Sequence, residues 1–158
     1  MKFWEDILVG ERIEIGRHTF TADGMKDFAR RFDPQPFHID EAAAARSHFG
    51  ALVASGWHTA SLWMRLMADY DRADNAARRA RGEAVGKLGP SPGFRELKWL
   101  KPVYAGDTIS YSAEVLDKRP SNSRPQWGLI TIRNGGVNQK GEPVISFTSA
   151  VFIERRKQ

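Results

Sequence analysis

The sequence predicts an α+β fold in which one antiparallel sheet packs against a buried helix. An early strand-like segment is followed by several helical segments, and the rest of the chain consists of strand-like segments separated by turns. The length of 158 residues is typical of one domain. We therefore expect a single domain over residues 1–158.

Apolar periodicity indicates the first strand and the first helix. In residues 11–20, Ile13 and Ile15 alternate with charged neighbours, as in a half-buried strand. Thr21 is a suitable N-cap for the helix that follows, and Asp23 in its first turn interacts favourably with the helix dipole. The apolar stripe of this helix is predicted to consist of Met25, Phe28, Ala29 and Phe32.

Two prolines interrupt the chain after this helix. Pro34 and Pro36 are expected to end it and to hold Asp33 and Gln35 in extended conformations. Residues 40–46 are rich in alanine and predict another short helix.

The second half of the chain begins with a long helix and continues as strands. Ser55 is a candidate N-cap, and residues 57–70 carry apolar side chains on all sides, which is typical of a largely buried helix. The arginine-rich residues 72–81 predict a frayed or separate short helix, followed by a loop. Further strands are predicted at residues 94–99, 109–115, 127–138 and 144–153, with a bulge at Gly135 and Gly136.

Composition narrows the function classes. The absence of cysteine excludes a disulfide framework, a thiolate nucleophile and a cysteine-based zinc site. The histidines lack the spacing of metal ligands, so no metal site is expected. The N-terminus lacks the layout of a signal peptide and no segment is long and apolar enough to span a membrane, so we expect a cytoplasmic protein without a membrane partner.

The net charge of +5 favours anionic partners but does not choose among them. Nucleic acid, phosphorylated cofactors and a simply solvated basic surface are all compatible with this charge. Because no base-reading motif is present, a nucleic-acid partner is not expected.

Candidate catalytic residues lie between the first two predicted helices. Asp33 and His38 combine an acid and an imidazole, which can take and return a proton near neutral pH. A fully extended chain would separate their Cα atoms by ~16 Å, so the chain must bend near Phe37, where a helix beginning at His38 or Asp40 would supply the turn. In the alternative interpretation, the two residues only end one helix and begin the next.

This segment resembles a known family signature. The run from Asp33 to Asp40 is similar to the D-x-N-P-x-H-x-D motif of MaoC-like dehydratases, also called (R)-specific enoyl-CoA hydratases. The resemblance continues through residues 49–56 and 97–108 and covers nearly the whole chain. It departs from the motif at Gln35, where the family has asparagine. It implies a hotdog fold, in which a curved antiparallel sheet wraps around a central buried helix.

The resemblance also implies an activity and a partner. The family reversibly hydrates a trans-2-enoyl-CoA to a (R)-3-hydroxyacyl-CoA. Asp33 would be the base that deprotonates water, while His38 would orient the water and supply or accept the second proton. Coenzyme A belongs to the substrate, which could also be carried by an acyl-carrier protein, and no separate cofactor is expected. A homodimer or a multiple of dimers is implied.

Other residues are assigned to substrate binding. The helix start at Ser55 and Gly56 offers backbone N–H groups to the thioester oxygen, although an ordinary capped helix start explains the pair as well. Gln35 and Ser61 are expected in the same site. Arg78 and Arg79 are candidates for contacts with CoA phosphates, with a solvated helix face as the alternative.

Two related functions compete with hydration. A hotdog thioesterase would hydrolyse the same ester, but the Asp33 and His38 pair beside a glycine-capped helix fits hydration better. A non-catalytic subunit that binds acyl thioesters is expected to lack one of the two catalytic groups, and this chain has both.

Overall fold

The computed structural model describes residues 1–156 and contains one five-stranded antiparallel sheet with a long helix on one of its faces. The strand order is β1-β3-β4-β5-β2. In chain order, the elements are a 3₁₀ helix at Trp4–Asp6, β1 (Arg12–Thr19), α1 (Ala22–Phe32), α2 (Pro36–Ile39), α3 (Glu41–Arg46), α4 (Gly56–Ala80), β2 (Gly93–Trp99), β3 (Thr108–Pro120), β4 (Trp127–Val137) and β5 (Pro143–Glu154).

The predicted strands are all present, with small changes at their ends. β3 runs on through Pro120, beyond the predicted end at residue 115, because it pairs with β4 up to Gly128. The bulge predicted near the glycine pair is found as a register shift between Gly136 and Val137. The side chain of Asn138 closes the hairpin between β4 and β5 by accepting the N–H groups of residues 140 and 142, each at 3.0 Å.

The core lies between the sheet and α4. The ring of Trp63 meets the ring of Phe147 edge to face, with centroids 4.7 Å apart. The hydroxyl of Tyr111, which is fully buried, donates to the carbonyl of Thr59 at 3.1 Å. These contacts fix α4 against β3 and β5. The result is the hotdog arrangement that the family resemblance implies.

Helix α4 is longer than the sequence indicated. It runs for 25 residues and includes the arginine-rich stretch, so the prediction of a separate short helix was wrong. Alanines and charge pairs one turn apart stabilise this stretch, such as Asp74 with Arg78 at 2.8 Å and Asp69 with Arg72 at 3.0 Å. None of the helices within residues 1–156 has the length and apolar character needed to cross a membrane.

α4 is buried in part against the sheet and in part against α1, where the ring of His58 stacks on that of Phe28. Trp63 is buried against the sheet, whereas Trp57 and Met64 are exposed, so the predicted burial of this helix does not extend to all of its apolar side chains. Phe32 at the end of the α1 stripe is also exposed. The edge strand β2 is exposed along nearly its whole length, including Phe94.

Candidate active site

The chain bends sharply between α1 and α2 and thereby brings Asp33 close to His38. Asp33 ends α1, and Pro36 is the first residue of α2, where its fixed φ and missing N–H cost nothing. The turn of α2 carries His38 back, so that its Nε2 lies 3.4 Å from Asp33 Oδ2. The predicted bend is confirmed, but it begins at Pro36 rather than at His38 or Asp40.

The imidazole of His38 is held in one orientation. Its side chain is nearly buried, and Nδ1 lies 2.8 Å from the carbonyl oxygen of Val53. A carbonyl can only accept, so Nδ1 carries a proton and donates it to Val53. Nε2 is therefore the ring nitrogen that faces Asp33 and can exchange a proton in the cleft.

The carboxylate of Asp33 accepts two side-chain hydrogen bonds. Ser55 Oγ donates to Oδ2 at 2.7 Å, and Gln35 Nε2 donates to Oδ1 at 2.8 Å. Burial alone would raise the pKa of Asp33. The hydrogen bonds from Ser55 and Gln35, together with the charge of His38, outweigh this effect and lower the pKa below its usual value. The carboxylate is therefore ionised at neutral pH.

Ser55 occupies the predicted N-cap position of α4. Its hydroxyl accepts the N–H of Trp57 at 3.2 Å while it donates to Asp33, and its side chain is fully buried. Both hydrogen-bonding capacities of this hydroxyl are therefore used within the protein. The predicted cap is confirmed, and the serine links the start of α4 to the carboxylate.

The first N–H of α4 is available to a ligand. The N–H of Trp57 is taken by the Ser55 side chain, and those of His58 and Thr59 by the Ser55 carbonyl. In the described part of the chain, no protein acceptor pairs with the N–H of Gly56. It lies at the positive end of a long helix dipole, where a developing negative charge is stabilised.

Asp33, His38 and Gly56 line one cleft of ≈ 470 Å³. Gln35 and Thr59 also border it, as do the apolar residues Phe37, Phe49, Val53, Ala54, Trp57, Trp99, Leu100, Pro102, Val103 and Val144, together with Lys101. Trp99 lies directly against Gly56. Trp99 was not among the predicted site residues, since its contact joins the end of β2 to the start of α4, which is far away along the chain.

Apart from Ser55, which is fully buried and contacts the cleft only through its hydrogen bond to Asp33, three predicted site residues lie outside this cleft. Ser61 is exposed and its hydroxyl donates to the carbonyl of Trp57 in its own helix at 2.7 Å. Arg78 lies roughly 33 Å along α4 from Gly56. It is paired with Asp74 and with Glu83, and Arg79 beside it is exposed.

Comparisons with known proteins show which sequences and folds this chain resembles. A solved structure of a MaoC-like dehydratase from Rhodospirillum rubrum is 38% identical, and the match covers 100% of both chains with a TM-score of 0.82. An uncharacterised protein, YdeM, from Bacillus subtilis is 26% identical over 96% of this chain and 98% of its own.

A shorter match involves a relative named for its reaction. Mesaconyl-CoA hydratase from Cereibacter sphaeroides is 38% identical over 64 residues, which are 40% of this chain and 18% of that protein. The family model described as the MaoC like domain matches residues 8–128. Since this match spans more than half of the sequence, the chain belongs to the MaoC-like domain family.

Proposed function

We propose that the protein reversibly hydrates a trans-2-enoyl-CoA, or a related acyl thioester, to the (R)-3-hydroxyacyl thioester. The observation that carries this proposal is the 3.4 Å approach of Asp33 Oδ2 to His38 Nε2 in a cleft that also contains the unpaired N–H of Gly56. Membership of the MaoC-like family, with a relative named as a CoA-thioester hydratase, supports the reaction class.

The proposed proton transfers use the two groups that face each other. A water molecule hydrogen-bonded to Asp33 and His38 attacks C3 of the enoyl group, and Asp33 takes a proton from it as the C–O bond forms. The electron pair of the double bond moves toward the thioester, and C2 then receives a proton from His38 Nε2. His38 regains a proton from the protonated Asp33, so both groups return to their starting state. The net change is the addition of H and OH across the double bond.

Closure of the cleft by bound substrate favours the role of Asp33 as the base that takes a proton from water. Its lowered pKa keeps it ionised, which makes it a proton acceptor but a weak base. An acyl thioester in the cleft displaces water from the carboxylate, and burial raises the pKa of a carboxyl group. The bound substrate would therefore strengthen the base when it is needed.

The Gly56 N–H is proposed to stabilise the thioester oxygen, which becomes enolate-like as water adds. Its backbone N–H is fixed by α4 before the substrate arrives, so little reorganisation is required in the transition state. In this proposal Gln35 and Ser55 hold the Asp33 carboxylate rather than contact the thioester.

The chemistry can be tested with a panel of enoyl-CoA esters of different acyl length. Hydration removes the ultraviolet absorbance of the conjugated enoyl thioester, whereas a thioesterase releases free CoA thiol, which a thiol reagent detects. Hydration without thiol release is expected. Thiol release from saturated and unsaturated esters alike would instead identify a thioesterase.

Substitution of the proton-handling pair tests the mechanism. Asp33→Asn and His38→Ala should each lower kcat by about 10²-fold or more, because general acid–base groups contribute 10²–10⁴-fold. Asparagine keeps the size of Asp33 but cannot take the proton. Thermal melting of each variant serves as the control for folding, and an Asp33→Asn protein with wild-type turnover would refute the mechanism.

A further inference from the structure

Trp99 packs against the catalytic end of α4 more closely than any side chain at position 56 would permit. A Cβ atom built on Gly56 would lie 2.5 Å from Trp99 Nε1 and 2.8 Å from Cδ1, well inside van der Waals contact. The face of the indole's five-membered ring, which carries Nε1, therefore occupies the space beside the Gly56 backbone. This contact explains why position 56 requires glycine.

The sheet fixes the backbone of Trp99 while its ring faces the cleft. Trp99 is the last residue of β2 and is paired with Ile145 of β5, and the following N–H, that of Leu100, donates to Val144 at 2.8 Å. The Trp57 ring supports the indole in a T-shaped contact, with centroids 5.2 Å apart. The residue still exposes 47% of its surface, so it forms part of the open wall of the cleft.

The indole N–H of Trp99 is available as a donor. The indole N–H of Trp4, by contrast, is used within the protein, since it donates to the carbonyl of Leu129 at 3.3 Å. Within residues 1–156, no acceptor pairs with Trp99 Nε1–H in this way. The cleft therefore contains two free N–H donors side by side, one from the Gly56 backbone and one from Trp99.

A thioester oxygen can accept a hydrogen bond from each of these two donors. A carbonyl oxygen offers two lone pairs, and both become stronger acceptors as negative charge develops on it. The α4 terminus supplies only Gly56, because Ser55 already satisfies the N–H groups of Trp57, His58 and Thr59. A second donor must therefore come from outside the helix.

We propose that Trp99 is a further catalytic residue, whose Nε1–H donates to the thioester oxygen alongside the Gly56 N–H. This inference rests on the proposed hydratase function. It assigns the indole two tasks: the N–H stabilises the enolate-like oxygen, and the ring confines the thioester against the first turn of α4.

The variant Trp99→Phe separates hydrogen-bond donation from confinement of the thioester, because phenylalanine keeps an aromatic ring in the cleft wall but has no N–H group. Loss of one such donor lowers kcat by about 10²–10³-fold in comparable sites, so a loss on the order of 10²-fold is expected here. Binding of butyryl-CoA, a saturated ester that develops no enolate charge, should change less than about threefold. Thermal melting should remain close to that of the wild type.

Two further variants complete the test. Trp99→Leu removes the wall as well as the donor, so its KM should also rise. Trp127→Phe removes an indole N–H outside the cleft and should leave kcat unchanged. If Trp99→Phe retains kcat within threefold of an active wild type, the donor role is overturned while the hydratase function stands. If the wild type hydrates no enoyl thioester, the proposed function itself fails.

Discussion

Three of the four polar side-chain atoms of Asp33 and His38 are held by partners that do not take part in proton transfer. Gln35 and Ser55 hold the two carboxylate oxygens, and the Val53 carbonyl holds Nδ1 of the imidazole. Rotation of either side chain would break at least one of these hydrogen bonds. The 3.4 Å separation of the pair is therefore set before substrate binds.

Ser55→Ala should shift the pH dependence of activity. The Ser55 hydrogen bond helps to lower the pKa of Asp33, so its loss should raise that pKa. Asp33 must be ionised to act as a base, and the acid limb of the kcat/KM profile is then expected to move to higher pH. Loss of the helix cap should also destabilise the fold by about 1 kcal/mol.

Ser61→Ala is the matched control for this variant. It removes a hydroxyl from the same helix, but one that bonds only to the carbonyl of Trp57. Its acid limb should coincide with that of the wild type. An unshifted acid limb in Ser55→Ala would show that the serine does not tune Asp33.

His58 should make the fold sensitive to acid. It is buried against the rings of Phe28 and Phe20, and burial, followed by the charge of His18, lowers its pKa to about 4. The folded chain keeps His58 neutral, whereas the unfolded chain protonates it near pH 6.5. Its contribution to stability is thus complete above pH 6.5 and is lost as the pH falls toward 4, by about 2–3 kcal/mol.

Urea unfolding at several pH values measures this effect. His58→Leu keeps an apolar side chain of moderate size that does not titrate, so the decrease in unfolding free energy between pH 7 and pH 4.5 should be smaller than in the wild type. Equal decreases in both proteins would exclude His58 as the source.

Among individual residues, the sequence predicted the site only where the site residues are close together along the chain. Asp33 and His38 lie on one short proline-containing segment, and Ser55 directly precedes an apolar helix, so their positions were predictable. The contact between Gly56 and Trp99 depends on how β2 docks beside α4. No periodicity or capping signal encodes such a contact.

Among the elements, those with a strong apolar period were predicted well. β3 alternates buried and half-buried residues along most of its length, and α1 begins at the predicted cap, Thr21. The four-residue helix α2 was missed because a single turn is too short to show a period. Its start at Pro36, rather than farther along, is what turns His38 toward Asp33.

The end of α4 could not be predicted from apolar residues, because its last turns carry few of them. Charge pairs replace the apolar face there: Arg78 bonds to Asp74 and to Glu83, so this arginine is anchored within its own helix end. Arg79 makes no ion pair within residues 1–156. Contact of either arginine with CoA phosphates remains a prediction.

At the scale of the whole molecule, we propose a homodimer that forms through the exposed edge strand β2 and the outer side of α4. An unpaired edge strand is commonly covered by a partner, and Phe94 and Met64 leave apolar surface exposed on these two elements. A two-fold arrangement would bring the same strand of each copy together.

Lysine at these positions should weaken the dimer. Phe94→Lys and Met64→Lys place charges in the proposed interface and are expected to raise the dimer dissociation constant at least tenfold, as measured by analytical ultracentrifugation. Leu8→Lys is the control, since Leu8 is an exposed apolar residue outside both elements. A wild-type protein that is a stable, active monomer at micromolar concentration would exclude this assembly.

The cleft is formed by two segments that are distant in the sequence, and this has a consequence for how substrate preference can change during evolution. The proton-handling groups lie on the turn from α1 to α2, while Trp99 and Leu100 come from the end of β2 and the residue that follows it. Mutations at Leu100 that leave Trp99 in place need not disturb the hydrogen bonds that hold Asp33 and His38. Substrate preference can therefore drift between homologues, or be redesigned by directed evolution, while the reaction itself is inherited unchanged.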